Sequence, residues 1–411
     1  MKLVKMSLVA AMVMGASAFA IDNVKVNGDA KVYYSTSDDN GANLFDKAES
    51  EADTALRLGV TGDLLKGVSF GVTGYAVSSL GLENNLVNNV WSGAHGTTNN
   101  SSGLGLQVND EAWIGEAWLA TTVGKTTAKV GRMELDTPLV FSEKWNIAPN
   151  TFEGAVLINQ DIQDTTLVGA WIGKGNGGSS AVGFGGVVNS GATFNSFVNE
   201  GAYAAAIINN SFKPLVAQAW YYNVSNVADA FWLQADWDCQ LLKDVKIGVQ
   251  YANLDPKGIL GTAAKDSSAY AVQVAYEGIQ NLKLSTAYSD VDNDGILNVA
   301  NVATGTASQS KLYTEAAWGG SNYGYVSAPG AESWNLKASY DVKDLVKVCA
   351  SYTNVENDKM ASNKNLDEIA LSVSKSFGPL DTKLAYISTT ADDQNVGSQF
   401  NTLNAYLTLN F

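Results

Sequence analysis

Residue types able to do covalent chemistry are scarce in this chain. Of its 411 residues one is histidine, His95, set in a stretch rich in Gly, Ser, Asn and Thr. Acyl transfer commonly needs a histidine base, held by a carboxylate, beside an activated serine. A histidine with no fixed neighbours is a poor base, so no catalytic residue is assigned and an enzyme is not expected. The run Asp290-Val291-Asp292-Asn293-Asp294-Gly295 has carboxylates at alternate positions and a glycine where a calcium loop turns. Its twelfth position holds Asn301 in place of a bidentate acid, so an acidic surface loop is the favoured reading and Asp290, Asp292 and Asp294 are only a candidate calcium site. No other cofactor is implied. Cys239 and Cys349 fall several strands apart in the reading below, too far for a bridge, and are expected as free thiols.

Charges of both signs cluster at Arg132, Glu134, Asp136, Glu143, Lys144 and Glu153, in a segment stiffened by Pro138 and Pro149. Such a cluster can sort ions if something holds it across an aqueous path. The elements available to hold it are strands. From Val24 to Tyr34 the even positions are Val24, Val26, Gly28, Ala30, Val32 and Tyr34, against Lys25, Asn27, Asp29 and Lys31. Side chains on a strand alternate between faces, so one face is apolar and the other polar. Val245–Tyr251, Tyr270–Tyr276 and Trp334–Tyr340 repeat the alternation, and the last two carry aromatics at both limits of the apolar face. Trp and Tyr at the limits of an apolar band suit two membrane interfaces.

Residues 1–20 contain Lys2 and Lys5, an apolar run from Leu8 to Ala16 and the ending Ala18-Phe19-Ala20, the form of a secretory signal peptide. A single domain is expected over 21–411. No later run of about 18 apolar residues exists, so any membrane crossing must be made by strands. The two leader lysines take the formal charge from −15 to −17, which disfavours nucleic-acid binding. Short polar turns such as Gly62–Lys66, Cys239–Asp244 and Gly278–Asn281 alternate with long segments rich in Gly, Asn, Ser and Thr. That spacing predicts an all-β, antiparallel, up-and-down transmembrane barrel with short periplasmic turns and long extracellular loops.

Strands are expected near 24–34, 55–62, 67–76, 111–121, 126–132, 153–159, 165–174, 201–210, 214–224, 229–238, 245–254, 268–277, 282–290, 333–342, 345–355, 366–376, 381–390 and 400–411. Short-turn rims must be separated by an even number of strands. On that ground Ala181–Val188 and Lys311–Trp318 are assigned to loops, within the segments 175–200 and 291–332, leaving about 18 strands. A barrel of that size encloses an aqueous channel. Its third long loop is about 133–152, and Lys25, Lys246, Lys337 and Lys383 lie on polar, lumen-facing rows. The closing strand alternates to the terminal Phe411, an ending similar to the signature by which outer-membrane barrels are recognised for insertion.

The stretch Gly131-Arg132 through Leu135-Asp136-Thr137-Pro138-Leu139-Val140, ending in Pro149-Asn150-Thr151-Phe152-Glu153-Gly154, resembles the OprD-like outer-membrane porins. The layout, with its opening Met1-Lys2-Leu3-Val4-Lys5, also resembles the major porin of campylobacters. The resemblance implies an 18-stranded homotrimer in outer-membrane lipid, inserted by the barrel assembly machinery, with the third loop at the constriction. It implies passive diffusion of ions and small hydrophilic solutes. One departure is that OprD-like channels for carboxylates carry many luminal arginines, whereas this chain has only Arg57 and Arg132. With the acidic loop and the net charge, that departure predicts a mildly cation-selective general porin. The alternative is a specific channel for small carboxylates or amino acids, and a secreted β-rich adhesin or outer-membrane enzyme is less favoured.

Overall fold

The computed structural model describes residues 21–91, 97–99, 110–145, 147–177, 192–196, 200–261, 264–304, 308–317, 322–357, 365–392 and 394–411. The leader, His95, Trp318 and Ala181–Val188 lie outside these residues.

Eighteen strands form the wall. They are β1 Asp22–Ser37, β2 Ser50–Leu65, β3 Val68–Ser78, β4 Glu111–Val123, β5 Thr126–Met133, β6 Phe152–Asn159, β7 Thr165–Gly175, β8 Ala202–Asn209 and β9 Leu215–Val224. They continue with β10 Ala228–Asp238, β11 Val245–Pro256, β12 Ser267–Ile279, β13 Leu282–Val291, β14 Glu332–Val342, β15 Val346–Glu356, β16 Leu366–Phe377, β17 Leu380–Ala391 and β18 Phe400–Asn410. Each pairs antiparallel with its neighbour in sequence, and β1 closes on β18 with Asp29 opposite Asn410 and Ser37 opposite Thr402. Closure leaves no unpaired edge, a condition for any sheet whose outer face meets hydrocarbon.

The expected alternation sets the faces. Tyr270, Tyr276, Trp334 and Tyr340 are exposed on the outside, and the Tyr288 ring packs tilted against Trp334 with centroids 4.9 Å apart. Short turns join β2 to β3, β4 to β5 and so on around one rim, and several place Asn or Asp in the left-handed region, as at Asn281 (φ 64°) and Asp344 (φ 59°). Both cysteines are free: Cys239 is buried at a turn and Cys349 faces the lumen from β15.

Candidate pore constriction

The third long loop, residues 134–151, crosses the lumen. Leu139 and Val140 pack with Trp220, Tyr222 and Trp232 on the β9–β10 wall. Ile147 and Ala148 pack with Tyr33, Tyr75 and Trp113 on the β1–β4 wall. Within the loop, Ser142 N donates to Leu135 O at 2.8 Å and Thr137 Oγ1 to Val140 O at 2.7 Å.

A second segment folds inward and meets it. The loop between β13 and β14 spans residues 292–331 and carries a short helix, α1 (Asn322–Ser327). Asn301 Nδ2 donates to Phe141 O at 2.8 Å, and Val302 N donates to Leu139 O at 3.0 Å. Lys311 Nζ reaches Asp136 Oδ1 at 2.8 Å, and Tyr313 Oη donates to Asp236 Oδ1 on β10 at 2.6 Å. Ala317 N donates to Glu368 Oε1 on β16 at 2.7 Å, and Asn322 Nδ2 donates to Glu368 Oε2 at 3.0 Å. Gly248 makes room for this loop, because a Cβ there would run into the Tyr313 ring and hydroxyl.

Glu143 joins the two loops. Its Oε1 accepts from Asn301 Nδ2 at 3.0 Å, Thr304 Oγ1 at 2.6 Å and Gln309 N at 3.0 Å, and its Oε2 accepts from Trp145 Nε1 at 2.7 Å. At 1% exposure its carboxylate does not line the water path, so its expected place among the lining acids is corrected: it is a buried joint.

Arg132 and Glu153 need a second correction. Arg132 stands opposite Ala117 and Glu153, two residues beyond Val130, which is 58% exposed on the outer face. Their neighbours Met133 and Phe152, opposite each other and almost fully buried, take the inward positions. Arg132 and Glu153 therefore point away from the lumen, where they pair at 2.7 Å with Lys174 Nζ 3.6 Å from the other Glu153 oxygen.

The charges brought together inside are different ones. Arg57 on β2 pairs with Asp29 on β1 at 2.5 Å, with Lys31 Nζ 4.0 Å from the same carboxylate. Lys144 and Glu134 of the third loop pair at 2.6 Å and lie within electrostatic reach of Lys31. Lys129 on β5 feels Glu116 and Glu134, and Thr73 Oγ1 donates to Glu116 at 3.0 Å. Every acid of this patch faces a cation. Asp29 and Lys31 occupy the polar row of the first alternating strand and Arg57 is one of the chain's two arginines, but no local pattern in the sequence marks Glu116 and Lys129 or brings the five together.

The four lysines expected in the lumen all lie on inward rows. Lys25 is exposed near the periplasmic end of β1, and Lys246 pairs with Glu277 at 3.1 Å, where Lys283 also pairs at 2.8 Å. Lys337 donates to Glu315 O at 3.2 Å, and Lys383 lies 5.6 Å from the Tyr406 ring. A chamber of about 410 Å³ is lined by Lys283, Lys337, Lys383, Ser339, Ser351, Ser372 and Asn404, with Glu277 its one acid. Asn404 is fully buried, and neither of its amide atoms has a hydrogen-bond partner among the described residues. Burial pushes the Glu315 carboxyl, on the inward-folded segment, up to about 8, and its Oε1 has no partner among the described residues.

The acids of the candidate calcium loop do not share one partner set. Among the described residues no three His, Cys, Asp or Glu side chains converge as a metal site. Asp290 is still on the outer face of β13, where Tyr270 Oη donates to it at 3.2 Å, and Lys265 takes Asp294 as an ion-pair partner. Phe411 caps the seam: its N donates to Gly28 O at 3.0 Å and its O accepts from Gly28 N at 2.8 Å.

A closed 18-stranded antiparallel barrel with an apolar outer belt and loops folded into a charged lumen is an outer-membrane channel of the porin type. The sequence model of the outer membrane porins of the OprD family matches residues 17–349, and the chain belongs to that family. No curated protein sequence matches it. Among solved structures, Pseudomonas aeruginosa OccK9 (OpdG) aligns with a TM-score of 0.74 at 13% identity, over 95% of this chain and 99% of that one. Pseudomonas aeruginosa OccK3 (OpdO) aligns at 0.71 and 15% identity over 95% and 96%. Pseudomonas aeruginosa OpdK, solved with vanillate, aligns at 0.70 and 14% over 95% and 98%.

Proposed function

We propose that this porin passes small hydrophilic solutes by passive diffusion and favours small organic anions, carboxylates in particular, over cations. The lysine-lined chamber carries this reading: Lys283, Lys337 and Lys383 face one space with four serines, and its one acid is already bound by two lysines. The acids that led to the expectation of cation preference are neutralised locally. Glu134 is paired with Lys144, Asp136 with Lys311 and Glu153 with Arg132. Vanillate, present in the OpdK structure, is itself a carboxylate. The mild cation preference stays as the second reading, supported by the formal charge of −15. Export through the leader Met1–Ala20, recognition of Phe411 by the assembly machinery and a homotrimeric state complete the proposal, and cross-linking of detergent-extracted protein tests the last. Selectivity is decided by the reversal potential in a salt gradient: a value favouring anions, with conductance blocked by benzoate-type carboxylates, supports the anion reading. A cation-favouring value supports the second.

A further inference from the structure

The outward placement of Arg132 leaves a basic group in the wrong place for conduction. On β4–β7 the outer face reads as three rows, with a one-residue register shift on β7 between the first row and the second. Nearest the extracellular end come Ala117, Arg132, Glu153 and Lys174, then Leu119, Val130, Ala155 and Trp171, then Thr121, Ala128, Leu157 and Gly169. The two lower rows enclose an apolar groove of about 400 Å³, floored by Ala128, Ala155 and Gly169. Four residues separate Arg132 from Ala128, roughly 13 Å at about 3.3 Å per residue, close to one leaflet of a hydrocarbon core about 30 Å thick.

Arg132 is held ready above this groove. Its Nε donates to Glu153 at 2.7 Å, Nη1 donates to Ile114 O at 2.9 Å, and the Phe194 ring lies 4.1 Å from Cζ, while Nη2 donates to nothing among the described residues. Lys174, half exposed, adds a second cation, so the cluster with Glu153 is net positive. At β13–β15 the same rim is acidic. Asp290, Glu332 and Glu356 stand directly opposite one another on β13–β15, an arrangement that repels anions.

We propose that the outer face of β4–β7 binds one phosphorylated lipid of the outer leaflet, with an acyl chain in the groove and the phosphate on Arg132 and Lys174. A guanidinium with a free N–H edge suits a phosphate oxygen, and the ammonium supplies a second point charge. Trp171, on the row below, sits where an indole meets the headgroup boundary.

Native mass spectrometry of the folded barrel in neutral detergent, with dioleoyl phosphatidate or dioleoyl phosphatidylcholine added, tests this. Phosphatidate is expected to be retained as one adduct, at least tenfold more tightly than phosphatidylcholine. Arg132→Gln and Gly169→Leu should each weaken it at least tenfold. A Cβ at Gly169 meets nothing within 4 Å, so its leucine fills the groove without strain, and unchanged heat-modified electrophoretic mobility checks the fold. Equal retention of the two lipids, or undiminished phosphatidate on both variants, overturns the site. An oligomer that Gly169→Leu dissociates overturns it too, by assigning the groove to a second copy of the chain.

Discussion

Replacing Glu143 with alanine should release the two inward loops from each other while leaving the barrel intact. The carboxylate accepts four hydrogen bonds from described residues, three of them across the joint between residues 134–151 and 292–331. Hydrogen bonds to a charged group contribute about 1.5–3 kcal/mol each, and an orphaned buried donor costs about 1–3 kcal/mol. These terms are not additive, and luminal water can recover part of the loss, so about 3 kcal/mol of docking energy is a conservative figure. At about 1.4 kcal/mol per factor of ten, the docked-to-undocked ratio falls roughly a hundredfold. No wall strand loses a ladder bond. Single-channel recording of Glu143→Ala should therefore show larger and noisier conductance, with unchanged heat-modified mobility on electrophoresis. Conductance and noise equal to the parent would refute the assignment of Glu143 as the joint.

Other perturbations follow from the same geometry. Burial raises the Glu315 carboxyl from its ordinary 4.5 to about 8, so the docked loop holds a proton that the undocked loop releases. Docking should be strongest below about pH 4.5, weaken as pH rises towards 8 and stay level above it, with Lys337 and Glu143 the nearby charges; conductance should rise over that window in the parent and not in Glu315→Gln. Gly248→Val should push Tyr313 off the β11 wall and break its bond to Asp236, raising conductance without altering the barrel's thermal stability. Arg57→Gln leaves Asp29 without its closest cation; one charge at about 4 Å in water amounts to about 1 kcal/mol, favourable to a cation and unfavourable to an anion, so the cation-to-anion permeability ratio should rise by up to about thirtyfold, read from the reversal potential. Gly28→Val should strain the seam, where a Cβ would sit 2.5 Å from Phe411 Cε2 and 2.6 Å from Arg57 O, lowering stability by about 1–3 kcal/mol in urea-dependent unfolding in detergent.

The wall was legible because lipid and water impose opposite demands on alternate residues. Wherever that contrast is strong, as in Tyr270–Tyr276 or Trp334–Tyr340, the strand stands out, and all eighteen strands lie where alternation and rim parity place them. The contrast fades at the extracellular ends. There β2 begins at Ser50, earlier than the expected 55, because Ser50, Glu51 and Asp53 are polar irrespective of face. The same fading hid the outward turn of Arg132 and Glu153, since a charged residue at the rim is compatible with either side of the wall. The inward course of residues 292–331 was not legible at all. Its anchors, Asn301, Lys311, Tyr313 and Ala317, bind partners 175 residues away at Asp136 and 51 away at Glu368, and no local period records such pairings. Glu143 looked like a pore charge for the same reason: only the second loop turns it into a buried acceptor.

The most direct test is planar-bilayer recording of purified Ile21–Phe411 protein in a salt gradient. Stepwise ohmic conductance is expected, with a reversal potential favouring anions and block by small carboxylates. Well-folded, heat-modifiable protein that conducts nothing would contradict the channel itself.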